Sequence, residues 1–411
     1  MRPIKGDLKL MKALNRTAIL QLFHSKGTLT RVEIAKLANL TPTTVSSQVD
    51  GLVNEGFLDE LGKTDSNSVG RKAIKLEITR SKGYIIVVCL SAQSFTCSLV
   101  NFHGEIIEEI HSPSKAGNKS ACDFIEDGIP RLMKIAKVKK IEKIKGISVV
   151  SPGIIDEQNG VIKFSRVLEI HDLQIKKILE DKYKFNIEVI NDMNASVFAE
   201  HYYGLNNVYK NLLYISIEEG IGSGIIINEQ IYSGFNGSAG EIGHTCVDPD
   251  GITCSCGNKG CIETILTIPF ILLRAQEAAQ AASDAVVPEN FDDVISMYEQ
   301  GAEWIQPIME QALQVMSQTF ALLFNFLSPE ILIVNGWPTR SEKFVQEMKK
   351  KLEEFPFPTP NSSSRIVFKK LEHNQMIIGA AIWLFQGLFS GTLFSKRHTS
   401  LDEEFLNHLE K

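Results

Sequence analysis

A chain of 411 residues with 44% hydrophobic content can bury two or three separate cores. No apolar run is long enough to span a membrane, and the opening MRPIKGDLKLMKALNR lacks the apolar centre of a secretion signal, so the sequence reads as a cytoplasmic protein without a membrane partner. The net charge of −6 is unevenly spread: residues 1–80 carry 13 Lys and Arg against 8 Asp and Glu, so the front end is basic and the body strongly acidic, and only the front end suits a polyanion. Seven cysteines form no disulfide framework, which fits a reducing compartment.

Apolar residues at Ala13, Leu14, Ile19, Leu20, Leu22 and Phe23 mark a first helix that Gly27 ends. Thr30 followed by Glu33 is a capping box, opening a short second helix through Val32, Ile34, Ala35, Leu37 and Ala38. Thr41 caps a third helix with Pro42 at its first position and Val45, Val49, Leu52 and Val53 on one face. Its other face offers Thr43, Thr44, Ser46, Ser47 and Gln48. Two short helices followed by a polar-faced third are the helix-turn-helix pattern, whose last helix enters the major groove of double-stranded DNA. Phe57-Leu58 and Ala73–Ile78 then bracket a loop with Arg71 and Lys72, a wing with a basic tip. Thr43, Thr44, Ser47 and Gln48 are the candidates for base edges, and Arg31, Arg71 and Lys72 those for phosphates or the minor groove. A three-helix protein-interaction module would share the helical pattern but not the basic wing.

From residue 81 strands alternate with helices, the signature of an α/β fold. The run Tyr84–Leu90 (YIIVVCL) reads as a buried strand, followed by strand-like pieces at Thr96–Val100 and Glu105–Ile110 around the turn His103-Gly104. A helix over Ala121–Ala136, a strand at Lys145–Val150 and another at Ile187–Ile190 complete a first lobe. Leu212–Ile217 and Gly224–Ile227 begin a second unit like the first, so the body reads as a duplication with a ligand cleft between its lobes. The expected domains are 1–80, 81–195, 196–390 with the returning C-terminal helix, and a tail at 391–411. That tail has Leu401, Phe405, Leu406 and Leu409 at helical spacing with acids between them.

The most chemically specific stretch is Glu241–Glu263, EIGHTCVDPDGITCSCGNKGCIE. His244, Cys254, Cys256 and Cys261 suit one structural zinc ion held tetrahedrally by three thiolates and an imidazole. Cys246 is a spare thiol that could take the place of His244. Glu241 and Glu263 bracket the cluster without being needed for the metal, and are placed to accept hydrogen bonds from a polyhydroxylated ligand.

This stretch, together with SPGIIDEQNGVI (Ser151–Ile162), NDMNASVFAE (Asn191–Glu200) and GSAGEIGH (Gly237–His244), resembles the ROK family of sugar kinases and sugar-responsive repressors. The resemblance spans nearly the whole chain. It implies an actin-like, hexokinase-like body, and the added winged helix-turn-helix is similar to the family's repressor branch. Carried over to this sequence, the sugar-contacting positions are Gly153, Asn191, Asp192, Glu241, His244 and Glu263, with Asp192 at the place of the kinase general base. The nucleotide loops depart from the kinase pattern. Where kinases read D-x-G-G-T this chain has Leu90-Ser91-Ala92-Gln93-Ser94, where they have G-T-G-x-G it has Glu219-Gly220-Ile221-Gly222, and after the late strand it has Asn335-Gly336-Trp337-Pro338. A carboxylate at Glu219 opposes a polyphosphate, and Trp337 is expected to crowd an adenine or ribose. The expectation is a homodimer or homotetramer that binds an operator and whose DNA affinity a sugar or sugar derivative controls. A sugar kinase carrying a DNA-binding domain, or a regulator answering to a protein partner, are the alternatives.

Overall fold

The structure, a computed structural model, describes residues 8–63, 73–79, 83–141, 144–205, 208–282, 285–354, 363–370 and 374–390. The chain begins with α1 (Leu8–Lys26), β1 (Leu29–Thr30), α2 (Arg31–Leu37), α3 (Pro42–Asn54), β2 (Leu58–Lys63) and β3 (Ile74–Ile78). Both expected helix starts are present. Thr30 and Glu33 close a reciprocal capping box, and the Thr41 hydroxyl accepts from the Thr44 amide at 3.2 Å. Val45, Val49 and Leu52 of α3 are buried beside Ile19, Leu20 and Phe23 of α1. Of the α2 residues only Ile34 is buried, because a two-turn helix has one inner position here; Val32 and Leu37 face solvent. The wing is a three-stranded sheet in the order β1-β3-β2, with β1 a strand too short to be read from the sequence. Replacing Thr41 by Ala will cost about 1 kcal/mol, the worth of a helix cap, and hydrogen exchange within α3 will quicken roughly fivefold.

The next elements are β4 (Tyr84–Leu90), β5 (Ser94–Asn101), β6 (Ile106–Pro113), α4 (Asn118–Val138), β7 (Ile144–Ser151), β8 (Ile154–Asp156), β9 (Val161–Ser165), β10 (Ile170–Leu173), α5 (Ile175–Lys182), β11 (Asn186–Asn191) and α6 (Asp192–Ala199). Every residue of β4 is buried, as a central strand covered on both faces requires. The sheet order is β11-β7-β4-β5-β6, with β4, β7 and β11 parallel. Strands β8, β9 and β10 make a separate small sheet. A π-helical turn, Glu200–Gly204, continues α6.

There follow β12 (Leu212–Ile217), β13 (Ile221–Ile227), β14 (Gln230–Ile231), α7 (Glu263–Leu266), α8 (Ile268–Ala281), α9 (Phe291–Glu299), α10 (Gln306–Leu327), β15 (Ile331–Gly336), α11 (Glu342–Glu354), β16 (Ile366–Phe368) and α12 (Gln375–Ser390). The second large sheet, β14-β13-β12-β15-β16, repeats the first: an antiparallel hairpin at one side, parallel strands at the other. Its core gathers Leu213, Ile215, Phe320, Phe324, Val334, Trp337 and Phe344.

The chain divides into two compact units, one running through Asn207 and resuming at Asn374, the other covering Val208–His373. This differs from the expected boundary at 195/196. Helix α12 packs on α6, β4 and β7, so residues 196–205 and 374–390 complete the first core instead of the second. Gly379 sits so close to the Ala195 carbonyl that a side chain there would overlap it. In the first unit α1 also packs on α12, Phe57 stacks on Phe102 at 5.7 Å, and His103 Nε2 lies 2.6 Å from the Ile78 carbonyl. The expected tail at 391–411 lies outside the described residues.

Candidate functional site

In the first unit the residues Gly153, Asn191 and Asp192 come together where β7 and β11 end. Asn191 caps α6, its side-chain oxygen accepting from the amides of Met193 (2.8 Å) and Asn194 (3.1 Å), while its Nδ2 donates to the Gly153 carbonyl at 2.9 Å. Asp192, the first residue of α6, accepts from the Met193 amide at 2.9 Å, and its charge has a free-energy advantage at a helix N-terminus. Asp192 also helps, after burial, to push the Cys89 thiol up to about 12. Gly153 has φ +103°, and a Cβ would overlap the Phe164 carbonyl oxygen. Gly153→Ala will therefore strain the turn by about 1–3 kcal/mol and displace Asn191. Any ligand-induced thermal shift will fall with it; an unchanged shift would remove Gly153 from the site. Glu157, which the sequence reading did not single out, accepts from Asn194 Nδ2 at 3.1 Å and braces the same cap.

In the second unit His244, Cys254, Cys256 and Cys261 bring their donor atoms within 4.8 Å of one another. Cys256 and Cys261 are 3.6 Å apart sulfur to sulfur, and Cys254 Sγ is 3.5 Å from His244 Nδ1. The edge of a tetrahedron with ~2.3 Å zinc–sulfur bonds is ~3.7 Å, so the donor set fits zinc. Burial, and then the neighbouring thiols, push Cys261 up to about 12, whereas the Asn258 backbone amide holds Cys256 below its ordinary value. Three adjacent thiols ionise together only beside a cation, and a metal ion bound here would supply that charge and a tetrahedral anchor for the loop. Cys246 does not join them: its backbone bridges Cys261, but its thiol is exposed. At Gly260 (φ +57°) a Cβ would overlap the Asp248 carbonyl, so no other residue fits there.

His244 joins this knot to the two carboxylates. Its Nδ1 is 3.6 Å from Glu263 and its Nε2 is 4.0 Å from Glu241. Glu263 is divided between tasks, because its Oε1 also accepts from the Ile221 amide at 3.1 Å. Glu241 keeps half of its side chain exposed, and crowding by protein raises its pKa, opposed by His244 and reinforced by Glu263.

The three loops compared with nucleotide loops each make contacts within the chain. In Ser91–Ser94 the Ser91 hydroxyl donates to the Ser94 carbonyl at 2.7 Å. At the β12–β13 turn the Ile221 amide is taken by Glu263, and Glu218 pairs with Arg340 at 2.6 Å, with Asp292 behind it at 3.7 Å. Trp337 corrects the sequence expectation. Its indole is fully buried, donates to the Leu266 carbonyl at 2.7 Å and packs on Phe291 and Phe344, because an aromatic ring with one donor is best satisfied in a core that offers one carbonyl. None of its surface is exposed.

On α3 the side chains of Thr43 and Ser47 are exposed, whereas the Thr44 hydroxyl is tied to that of Thr41 at 2.8 Å. Gln48 is half-buried, with its Oε1 inside and without a described partner, so it is turned from a base-reading position. Arg31 is held by Asp50 at 2.8 Å and Glu60 at 3.1 Å. Arg71 and Lys72 lie outside the described residues.

A winged helix-turn-helix followed by a duplicated α/β body of this topology defines a protein built on the actin-like fold with a winged helical module ahead of it in the sequence. The ROK family's sequence pattern matches residues 86–386, and the chain belongs to the ROK family. It is similar to a putative xylose repressor of Caldicellulosiruptor sp. (strain Rt8B.4), 28% identical over 94% of this chain and 98% of that protein. It is also similar to the DNA-binding transcriptional dual regulator NagC of Escherichia coli (strain K12), 27% identical over 83% and 84%. Among solved structures, a ROK family transcriptional regulator homologous to the E. coli MLC protein shares the fold over 94% of this chain and 99% of its own, with TM-score 0.81 and 21% identity. A ROK family glucokinase from Streptomyces griseus, in complex with glucose and AMPPNP, matches 73% of this chain and 99% of its own, with TM-score 0.61 and 20% identity.

Proposed function

We propose that the protein is a sugar-responsive transcriptional repressor. The observation that carries this reading is the joining of a capped, polar-faced recognition helix to a ROK body in one chain, together with repressor relatives that match it from end to end. Thr43 and Ser47 of α3 read base edges in the operator, and the wing contacts the backbone. The sugar-contacting residues in this reading are Gly153, Asn191, Asp192, Glu241, His244 and Glu263, whose side-chain and backbone acceptors suit sugar hydroxyls. Zinc on His244, Cys254, Cys256 and Cys261 fixes the orientation of His244 and the carboxylates beside it. The repressor acts as a homo-oligomer on paired half-sites, and the sugar shifts DNA affinity by binding one conformational state better than the other.

Phosphoryl transfer is not part of this reading. A nucleotide needs free backbone donors for its phosphates, yet the Ile221 amide at the β12–β13 turn is taken by the Glu263 carboxylate. Asp192, at the position of a general base, then serves as a hydrogen-bond acceptor.

Thermal unfolding of the zinc-loaded chain against a sugar panel tests the proposal. The panel includes xylose and N-acetylglucosamine, suggested by the names of the relatives, their phosphates, and ATP. A sugar at a hundred times its Kd adds about 2.7 kcal/mol. A shift with one sugar that also weakens operator binding supports the repressor. An ATP-dependent shift that grows with sugar overturns the non-enzymatic reading, and no shift with any sugar points to control by a protein partner.

A further inference from the structure

The opposite end of the first sheet from Asn191 carries a feature that sugar and operator binding leave unused. Where α4 ends and β7 and β11 begin there is a groove of about 570 Å³. Its floor is Met133, Ala136, Ile141, Ile144 and Phe185, and Lys137 and Lys140 stand at its rim. A volume of this size accommodates several bulky apolar side chains. The edge is strongly basic, with lysines at 134, 137, 139, 140 and 145 among the described residues. Lys139 is paired with Glu108 at 2.9 Å, and Lys145 lies over the Phe57 ring at 5.3 Å. Among the described residues no carboxylate forms an ion pair with Lys134, Lys137 or Lys140. An apolar floor under unpaired lysines is unsuited to a sugar, which needs acceptors. It suits an amphipathic segment with acidic flanks.

A segment of this kind follows α12 in the sequence. Residues 400–410, SLDEEFLNHLE, place Leu401, Phe405, Leu406 and Leu409 at helical spacing, with Asp402, Glu403, Glu404 and Glu410 between them. Ser400 and Glu403 have the spacing of a capping box. The route to the groove is short. Along α12, Gly379 lies against Ala195 near the sugar-site end of the sheet, and Leu384 lies against Gly146 at the groove end. Gly146 is in register with Asn186, and these two residues neighbour Ile144 and Phe185 of the groove floor. From Leu384 the six remaining residues of α12 advance ~9 Å, and the ten steps from Ser390 to Ser400 reach as far as ~30 Å when extended.

We propose that residues 400–410 dock in this groove of their own chain, with Phe405 and the leucines on the floor and the acids against Lys137 and Lys140. The test is acylation of lysines, followed by mass spectrometry, on the zinc-loaded full chain and on two variants. One variant lacks residues 400–411; the other is Phe405→Glu/Leu409→Glu. Lys137 and Lys140 are expected to react several-fold more slowly in the full chain than in either variant. A peptide of residues 398–411 is expected to restore protection to the shortened chain, and 0.5 M salt to weaken that rescue. Equal labelling in all three proteins overturns the proposal. Protection of the full chain that fades on dilution assigns the tail to a neighbouring subunit and overturns docking within one chain. Protection that requires operator DNA instead of the tail assigns the lysine edge to nucleic acid, and overturns it as well.

Discussion

Cys261→Ser will unfold the Glu241–Glu263 loop and take sugar recognition with it. Cys261 is fully buried, and its sulfur lies 3.6 Å from Cys256 and 3.4 Å from the His244 carbonyl. A serine hydroxyl is a poor fourth ligand beside two thiolates, and the zinc affinity it leaves behind is that of an incomplete site. Loss of a structural metal belongs with the few single changes that cost more than about 4 kcal/mol. For a unit of this size that is a fall in Tm on the order of 10 °C. The same drop is expected when the wild-type chain is treated with a chelator, and elemental analysis should find about one zinc per chain before treatment. Because His244 contacts both Glu241 and Glu263, sugar affinity should fall at least tenfold even at temperatures where the rest of the chain stays folded. Normal sugar affinity in a zinc-free Cys261→Ser chain would sever the metal from the sugar site.

Trp337→Ala will destabilise the second unit without creating nucleotide affinity. The indole is buried against Phe344 at 4.7 Å and Phe291 at 5.5 Å between centroids, and truncating such a ring costs about 3–5 kcal/mol. Tm should fall on the order of 10 °C. Trp337→Phe keeps the ring but leaves the Leu266 carbonyl without its indole donor, a loss of about 1–3 kcal/mol. Calorimetry with ATP should show no binding in either variant. A variant that gained ATP affinity at undiminished stability would mean that the indole acts as a plug over a nucleotide site.

The elements that the sequence revealed are those whose physics is local. Thr30 with Glu33 and Thr41 with Pro42 are helix starts defined by neighbours a few residues away, and both are present. The clustering of His244, Cys254, Cys256 and Cys261 was legible because a tight knot draws its members from nearby sequence. Trp337 was misread because its fate depends on a carbonyl 71 residues earlier, at Leu266. Arg31 looked like a free phosphate contact because its partners, Asp50 and Glu60, lie on other elements. Likewise, nothing around Glu263 announces that it shares its carboxylate with the amide of Ile221, 42 positions away. Helix α12 was placed with the wrong lobe for the same reason: its apolar face is visible in sequence, but the partner it covers is not.

That placement of α12 orders the making of the protein. The second unit is one unbroken stretch, whereas the first lacks a wall until residues 374–390 have been synthesised. On the ribosome, where domains fold as units while the chain emerges, the middle of the polypeptide can reach its final form before the sheet that precedes it. A nascent chain stalled before residue 374 should protect β12, β15 and α10 from proteolysis while β4, β7 and α6 remain open to cleavage. Since α1 also packs on α12, a message cut short would yield a folded second unit and an unfinished first one. The first unit would be complete only once α12 has been translated.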